Sequence, residues 1–538
     1  MAAGDAPVIQ RPPSQNSGEG GIEEEDALLT GQRTGKTPAT TGTSRNANRW
    51  QRWREIGLFV WAVVATAVVI VLAVSRTRSS SSLVTDSAAG ATAFSCGQKS
   101  YNGAISVLPN FDPCGSVMEA AKRMGYTTGL VVTTRITDAT PAVFASHVRR
   151  REMEDDIAMQ MIGETHPLGR MVDLMIGGGR CHFLPNTTEG GCRADDIDVI
   201  DVAGKKHDWN YIGKRDDFDN LGTDAKLPLL ALFAPTDIPY EIDRRHQEDV
   251  YPSLEETAKK ALDILSAATQ DKDQGFFIMI EGSRIDHAGH ANDPAAQVHE
   301  VLAYDRAMSV VLDFIEDSDV PTLMVSTSDH ETGGLATARQ LHEEYPDYLW
   351  YPSVLANASH SAGYAAHEYY LHQQKRASTA LIETGAKDEE TYLKSLIKFT
   401  LGIYDTTPAE LSSLINHEAP ASYIFADMIS RRAQTGWSTH GHSGADVNIY
   451  TSDPVAAKAL RGNHENIEVG QFLRDYLGVN EEMEKVTEKL KKHMHSVGAE
   501  EFLGRVPEEE ERLDGQDHLD QYHGDHKTKH RRCNICGH

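Results

Sequence analysis

Five short, almost uninterrupted apolar runs recur through the middle of this chain: TTGLVVTT, MVDLMIGGG, LPLLALFA, GFFIMIEG and PTLMVSTSD. A strand with one wet face alternates apolar and polar residues, whereas a strand apolar at every position has to be covered on both faces. Helical stretches lie between the runs, at Pro141–Ile162, Ser253–Thr269 and Pro294–Ile315, two of them opening on a Pro where a helix start tolerates it. That alternation predicts an α/β fold with a central, mostly parallel sheet between helical layers. Residues from about 335 to 434 break the rhythm and are rich in Tyr, His and Ser, which predicts an insertion. The 538 residues leave room for one large domain or two smaller ones.

Ahead of the first run, Ile56–Val74 carries no charge over 19 residues, long enough to cross a bilayer. Arg45, Arg49, Arg52 and Arg54 precede it, and only Arg76 and Arg78 follow closely. The heavier basic side stays cytosolic, so a single-pass type II membrane protein is expected. Residues 1–55 would be a disordered cytosolic tail, 56–74 the transmembrane helix, 75–505 the main domain with its insertion at 335–434, and 506–538 a polar flexible tail. In the first tail, Glu24 precedes Leu28 and Leu29 in the arrangement of an acidic di-leucine sorting signal for adaptor complexes, which implies a vacuolar or lysosome-like membrane. Cys96 with Cys114, and Cys181 with Cys192, could close short disulfides on the lumenal side. Asn186 and Asn357 open glycosylation triplets. Cys533 and Cys536 near the end make at most half a metal site. A net charge of −27 argues against nucleic acid as a partner.

Three clusters fall at or just beyond the carboxyl ends of expected strands, where open α/β sheets place their sites. They are Glu281, Asp286 and His290 in IEGSRIDHAGH, Asp329 and His330 in STSDHETGG, and His440 and His442 in THGHSGADVNIY. Mixed carboxylate and imidazole donors suit Zn²⁺, while carboxylate and hydroxyl oxygens suit Mg²⁺. Further upstream, Asp138 and Thr140 end the first run, and Arg149, Arg150 and Arg151 follow. Alone, that Asp and Thr would be a helix cap and those arginines a solvated face. Asp86-Ser87-Ala88 opens a small-residue run with a hydroxyl at a helix N-terminus.

Taken together, these motifs resemble the alkaline phosphatase family, and specifically its membrane-anchored members, from about Ser75 to near Leu477. The resemblance implies a three-layer α/β/α sandwich with a crown-like inserted region. It also implies hydrolysis of small phosphate monoesters through a phosphoserine intermediate on Ser87, with Arg151 clamping the phosphate. Asp286, His290 and His442 would hold one Zn²⁺, and Asp329 and His330 with Ser87 a second. Thr140 and Glu281 would hold a Mg²⁺, flanked by Asp138 and His287. A homodimer is implied as well.

The chain departs from the family pattern at one place. The family opens its fold with a strand ending in Asp-Gly, and that Asp bridges two of the metals. The only Asp-Gly here is Asp514-Gly515, and the expected anchor runs directly into the lead to Ser87 at Val74–Ser75. The first strand is therefore expected to be missing. The alternative reading that follows is a catalytically impaired, membrane-anchored metal-binding pseudophosphatase.

Overall fold

The computed structural model describes residues 78–378, 386–509 and Glu511. The expected membrane span, the sorting signal and the Cys533–Cys536 pair lie outside the described residues. Among the described residues, no helix is long and apolar enough to cross a membrane.

Five parallel strands form the main sheet: β1 (Thr127–Arg135), β2 (Leu174–Gly178), β3 (Asn210–Ile212), β4 (Leu229–Leu232) and β5 (Phe276–Glu281). Their spatial order is β3-β4-β2-β1-β5, so β4, β2 and β1 are interior. Side chains alternate between the faces of a strand. Leu130 and Val132 of β1 accordingly join one core with Met175, Leu230 and Phe183. Val131 points into a second core with Ile176, Leu229 and Ala261. The helix α1 (Ser87–Cys96) contributes Ala88 and Ala91 to the first core. The helix α2 (Leu254–Thr269) contributes Ala258, Ile264 and Leu265 to the second. Two cores on opposite faces of one sheet are the three-layer arrangement that the uninterrupted apolar runs require.

Two expectations change. The stretch 141–162 is not one helix; it is a short helix at Ala139–Ala142 and another at Glu154–Met161. Between them, Val148 exchanges backbone hydrogen bonds with Ile105 at 3.0 and 3.2 Å, and Arg149 donates its N–H to Leu503 O at 2.8 Å. These long-range pairings outcompete the local helix, and the detour carries Arg151 back toward the ends of the strands. The run PTLMVSTSD forms only β6 (Val325–Thr327), and it lies outside the main sheet. It follows the helices α3 (Arg284–His290) and α4 (Pro294–Asp317). The main sheet instead ends at β5, whose second edge has no strand partner among the described residues and whose six residues are all half-buried.

After β6 come β7 (Glu331–Thr332) and five helices between Pro352 and Ala433, the last of them α5 (Ala421–Ala433). These helices share a core of Leu393, Ile397, Leu411, Leu414, Phe425 and Ile429 that also takes in Ala288 of α3 and Ala295 of α4. The chain then returns through β8 (His442–Ser443), which pairs antiparallel with β7, and β9 (Ile449–Thr451), which pairs antiparallel with β6. The helix α6 (Asn466–Leu477) closes over α1 so tightly that a Cβ on Gly470 would sit 2.4 Å from Ala93 O. Both expected disulfides, Cys96–Cys114 and Cys181–Cys192, are formed.

Candidate active site

Ser87 is the first residue of α1, and its position follows from the residue before it. Asp86 has extended backbone, and its Oδ1 accepts the N–H of Ala89 at 2.9 Å, a side-chain N-cap. Asp86 Oδ2 accepts from Gly103 N at 2.9 Å, which ties the cap to the next loop. Ser87 is thus held at the electropositive end of a ten-residue helix. Its side chain is largely buried, and its Oγ lies 2.9 Å from His330 Nε2.

His330 reaches Ser87 from the turn between β6 and β7, with Asp329 beside it. Asp329 Oδ2 is 3.2 Å from His330 Nε2. The backbone of α1 makes room for this turn at Gly90, where a Cβ would come within 2.9 Å of Asp329 Cβ. Burial disfavours a charge on His330, yet the carboxylates of Asp329 and Asp286 outweigh it and raise the imidazole to about 9.

Asp286 and His290 sit on one face of α3, four residues apart, and β8 brings His442 up to them. Ligand atoms of these three residues all lie within 4.8 Å of one another. Asp286 Oδ1 is 3.3 Å from His290 Nε2 and 3.6 Å from His442 Nε2. The two Nε2 atoms face each other at 3.0 Å. Their other ring nitrogens are committed: His290 Nδ1 donates to His440 O at 2.5 Å, and His442 Nδ1 donates to Thr85 O at 2.6 Å. Each neutral ring therefore presents a lone pair at Nε2, and two lone pairs and a carboxylate converge on one point. A proton or a metal cation can fill such a point, and the donor set of one carboxylate and two imidazoles fits Zn²⁺. The Asp286 carboxyl is pushed up by burial, but the surrounding histidines reverse this and hold it well below the usual carboxylate range.

A third group of residues lies at the ends of β1 and β5. Glu281 Oε2 accepts from Ser283 Oγ at 2.7 Å. Its carboxyl is raised to about 8, by desolvation first, against hydrogen bonds from Ser283 and Thr140, with the Asp138 charge adding to the rise. A carboxyl that unsettled and a neighbouring Thr hydroxyl are oxygen donors of the kind that Mg²⁺ takes. Asp138 is different. Its Oδ1 accepts from Arg151 Nη2 at 2.8 Å, and its Oδ2 is 3.4 Å from Arg135 Nη2. His287 Nε2 is 3.9 Å from Asp138 Oδ2. Arg151 also reaches Asp86 Oδ2 at 3.4 Å, so its fork joins the nucleophile's cap to the Asp138 end of the site.

The structure thus brings Ser87, Asp329, His330, Asp286, His290 and His442 into one connected group, with Arg151, Asp138, Thr140, Glu281 and His287 around it. It places His442, and not His440, beside Asp286. Sequence reasoning passed over Thr332. Its Oγ1 donates to Asp286 Oδ1 and lies 3.1 Å from His330 Nδ1, which joins two clusters that the sequence presents separately. The signal was there in HETGG, a hydroxyl two residues after an expected ligand.

Comparison with known proteins identifies the family. The family profile "Alkaline phosphatase" matches residues 65–479. The chain is 52% identical to the repressible alkaline phosphatase of Saccharomyces cerevisiae over 458 residues, covering 80% of this chain and 78% of that one. It is 48% identical to an alkaline phosphatase of Schizosaccharomyces pombe, covering 78% of this chain and 75% of that one. Among solved structures it is similar to the cold-active alkaline phosphatase of a Shewanella species, at 30% identity and a TM-score of 0.60 over 75% of this chain and 88% of that one. It is also similar to a variant of the alkaline phosphatase of the Antarctic bacterium TAB5 with Mg bound, at 26% identity and a TM-score of 0.51 over 75% of this chain and 87% of that one.

Proposed function

Since this chain belongs to the alkaline phosphatase family, we propose that it hydrolyses small phosphate monoesters by transferring the phosphoryl group to Ser87 and then to water. The observation that carries this reading is the convergence of Ser87 Oγ, the His330 ring and the Asp286–His290–His442 cradle at a helix N-terminus. Asp286, His290 and His442 would hold one Zn²⁺, Asp329 and His330 with Ser87 a second, and Thr140 and Glu281 a Mg²⁺. Bound there, the metals would supply Lewis acidity toward the ester and lower the pKa of a coordinated hydroxyl or water.

The chain's own residues do the rest. The N–H groups at the start of α1 face the phosphate and favour its negative charge. Asp86 fixes the backbone from which Ser87 projects. Arg151 offers a planar fork suited to two phosphate oxygens, and Asp86 and Asp138 hold it in the site until the phosphate arrives. Its guanidinium is kept charged by those carboxylates. Asp138 and His287 would shape the region around the Mg²⁺ donors. Because grip is on the phosphate, the rest of the ester stays outside the site, and a broad substrate range follows.

A single-pass type II anchor at 56–74, a vacuolar or lysosome-like location, adaptor binding at Glu24 and Leu28-Leu29, glycosylation and a homodimer belong to the same reading. The exposed side chain of Asn186 is compatible with glycosylation. The impaired reading rests on the departure at Val74–Ser75, and among the described residues no strand pairs with the second edge of β5.

Turnover of an aryl phosphate by the purified full chain separates the two. Activity that a chelator abolishes and added Zn²⁺ with Mg²⁺ restores supports the phosphatase. Zinc bound in stoichiometric amount without turnover supports the impaired form.

A further inference from the structure

His440 is not among the expected ligands, yet it makes close contacts with one of them, His290. His290 Nδ1 donates to His440 O at 2.5 Å, and His440 Nδ1 donates to His290 O at 2.7 Å. Each ring is bonded to the other residue's carbonyl, so the two residues close a reciprocal pair. The carbonyl of His290 ends the short helix α3, where carbonyls lack a partner within the helix. Asn292 Nδ2 lies 3.3 Å from His440 Nε2, so that nitrogen accepts and the ring proton stays on Nδ1. Both ring nitrogens are thereby used, although the residue is exposed. The ring's flat face is also covered: Tyr423 stacks on it with centroids 4.0 Å apart and planes 12° from parallel. Tyr423 belongs to α5, the last helix of the 335–434 region. The same helix also reaches the α3–α4 turn, through Ser430 Oγ, 3.4 Å from Asn292 O.

We propose that His440, clamped by Tyr423, is a positioning residue that fixes the His290 ring in its metal-binding orientation, so that α5 helps set the metal affinity of the Asp286–His290–His442 site. The inference rests on the reading that these three residues hold zinc. Without the His440 ring, the backbone of His440 loses a tie to α3. Its carbonyl, which fixes the tautomer and the plane of His290, is then held less tightly. Outer partners of a metal-bound imidazole commonly carry about 10- to 100-fold in metal affinity.

The test is zinc competition with a chromophoric chelator, using the full chain and the variants Asp286→Ala, His440→Ala, His440→Asn, Tyr423→Ala and Tyr423→Phe, together with melting of each metal-free protein. His440→Ala and Tyr423→Ala are expected to weaken zinc by about 10-fold or more at an unchanged metal-free melting temperature. His440→Asn, which can restore a donor toward His290 O, and Tyr423→Phe, which keeps the stacked ring, are expected to recover most of the loss. Unchanged zinc affinity in His440→Ala would overturn the inference, and so would a metal-free melting temperature that falls in step with affinity. If Asp286→Ala binds zinc as the unaltered chain does, the zinc reading of the site fails, and this inference fails with it.

Discussion

Two clusters in this molecule each pair one carboxylate with two imidazoles. One is Asp286 with His290 and His442, and the other is Glu119 with His147 and His166. Their ring nitrogens set them apart. In the first, both Nδ1 atoms donate to carbonyl oxygens, so both Nε2 lone pairs are left for a cation. In the second, His147 Nδ1 lies 3.2 Å from Ser106 O, but His166 Nδ1 accepts the N–H of Leu168 at 3.2 Å. That bond uses the Nδ1 lone pair, so the proton of neutral His166 sits on Nε2, 2.9 Å from Glu119 Oε1. Glu119 Oε1 also takes His147 Nε2 at 3.0 Å, and its Oε2 accepts the Ser116 N–H at 2.7 Å as half of a capping box. In the second cluster His166 has no lone pair to spare. Residue type and proximity do not separate a metal cradle from a structural ion pair; the partner of the far ring nitrogen does.

Substitutions can break this contrast from either side. The largest effect is expected from Asp286→Ala, which removes the carboxylate between two imidazoles. Activity on an aryl phosphate should fall by more than the roughly 100-fold that loss of an outer partner costs, with a loss of bound zinc measurable by atomic emission. Glu119→Gln should do the opposite: zinc content unchanged, but stability in urea lower by about 1–3 kcal/mol, because two buried imidazoles lose the carboxylate they face. If Glu119→Gln lost zinc, the assignment of that cluster to structure would be wrong.

The pH dependence sharpens the same point. Burial pushes the Glu119 carboxyl up, but His147 and His166 more than reverse it and hold the group well below its ordinary range. A lowered carboxyl adds stability above its unfolded pKa of about 4.3 and loses it as pH falls below that value. Burial also holds His166 below its ordinary value, so the unfolded chain gains a proton there first as pH drops through about 6.5. Unfolding midpoints should therefore decline from about pH 6.5 downward and steepen below about 4.3. The steeper part should be flattened in Glu119→Gln. A smaller effect is expected from Thr332→Val, which removes the hydroxyl shared by Asp286 and His330. Zinc affinity should drop by about 10-fold and stability by about 1–2 kcal/mol, read by chelator competition and urea melts.

Much of this was legible in the sequence because it is written locally. Continuous apolar runs such as GFFIMIEG mark strands covered on both faces, and Asp86 ahead of small residues marks the start of the Ser87 helix. The donors at Asp286 and His290, and at Asp329 and His330, lie within single motifs. What was not legible depends on long-range partners. The stretch after Pro141 reads as one helix, but the pairing of Val148 with Ile105 breaks it. PTLMVSTSD reads as a strand of the main sheet, but it pairs with Ile449–Thr451 outside it. Glu119, His147 and His166 share no motif, and the role of His440 is fixed by carbonyl directions that no residue pattern encodes.

The central claim, that Ser87 accepts the phosphoryl group, is tested most directly by quenching the full chain in acid during turnover of an aryl phosphate and mapping phosphate by peptide mass spectrometry. The account predicts a phosphate on the peptide holding Ser87, absent in Ser87→Ala. Turnover with no phosphate on Ser87, or undiminished turnover by Ser87→Ala, would contradict it.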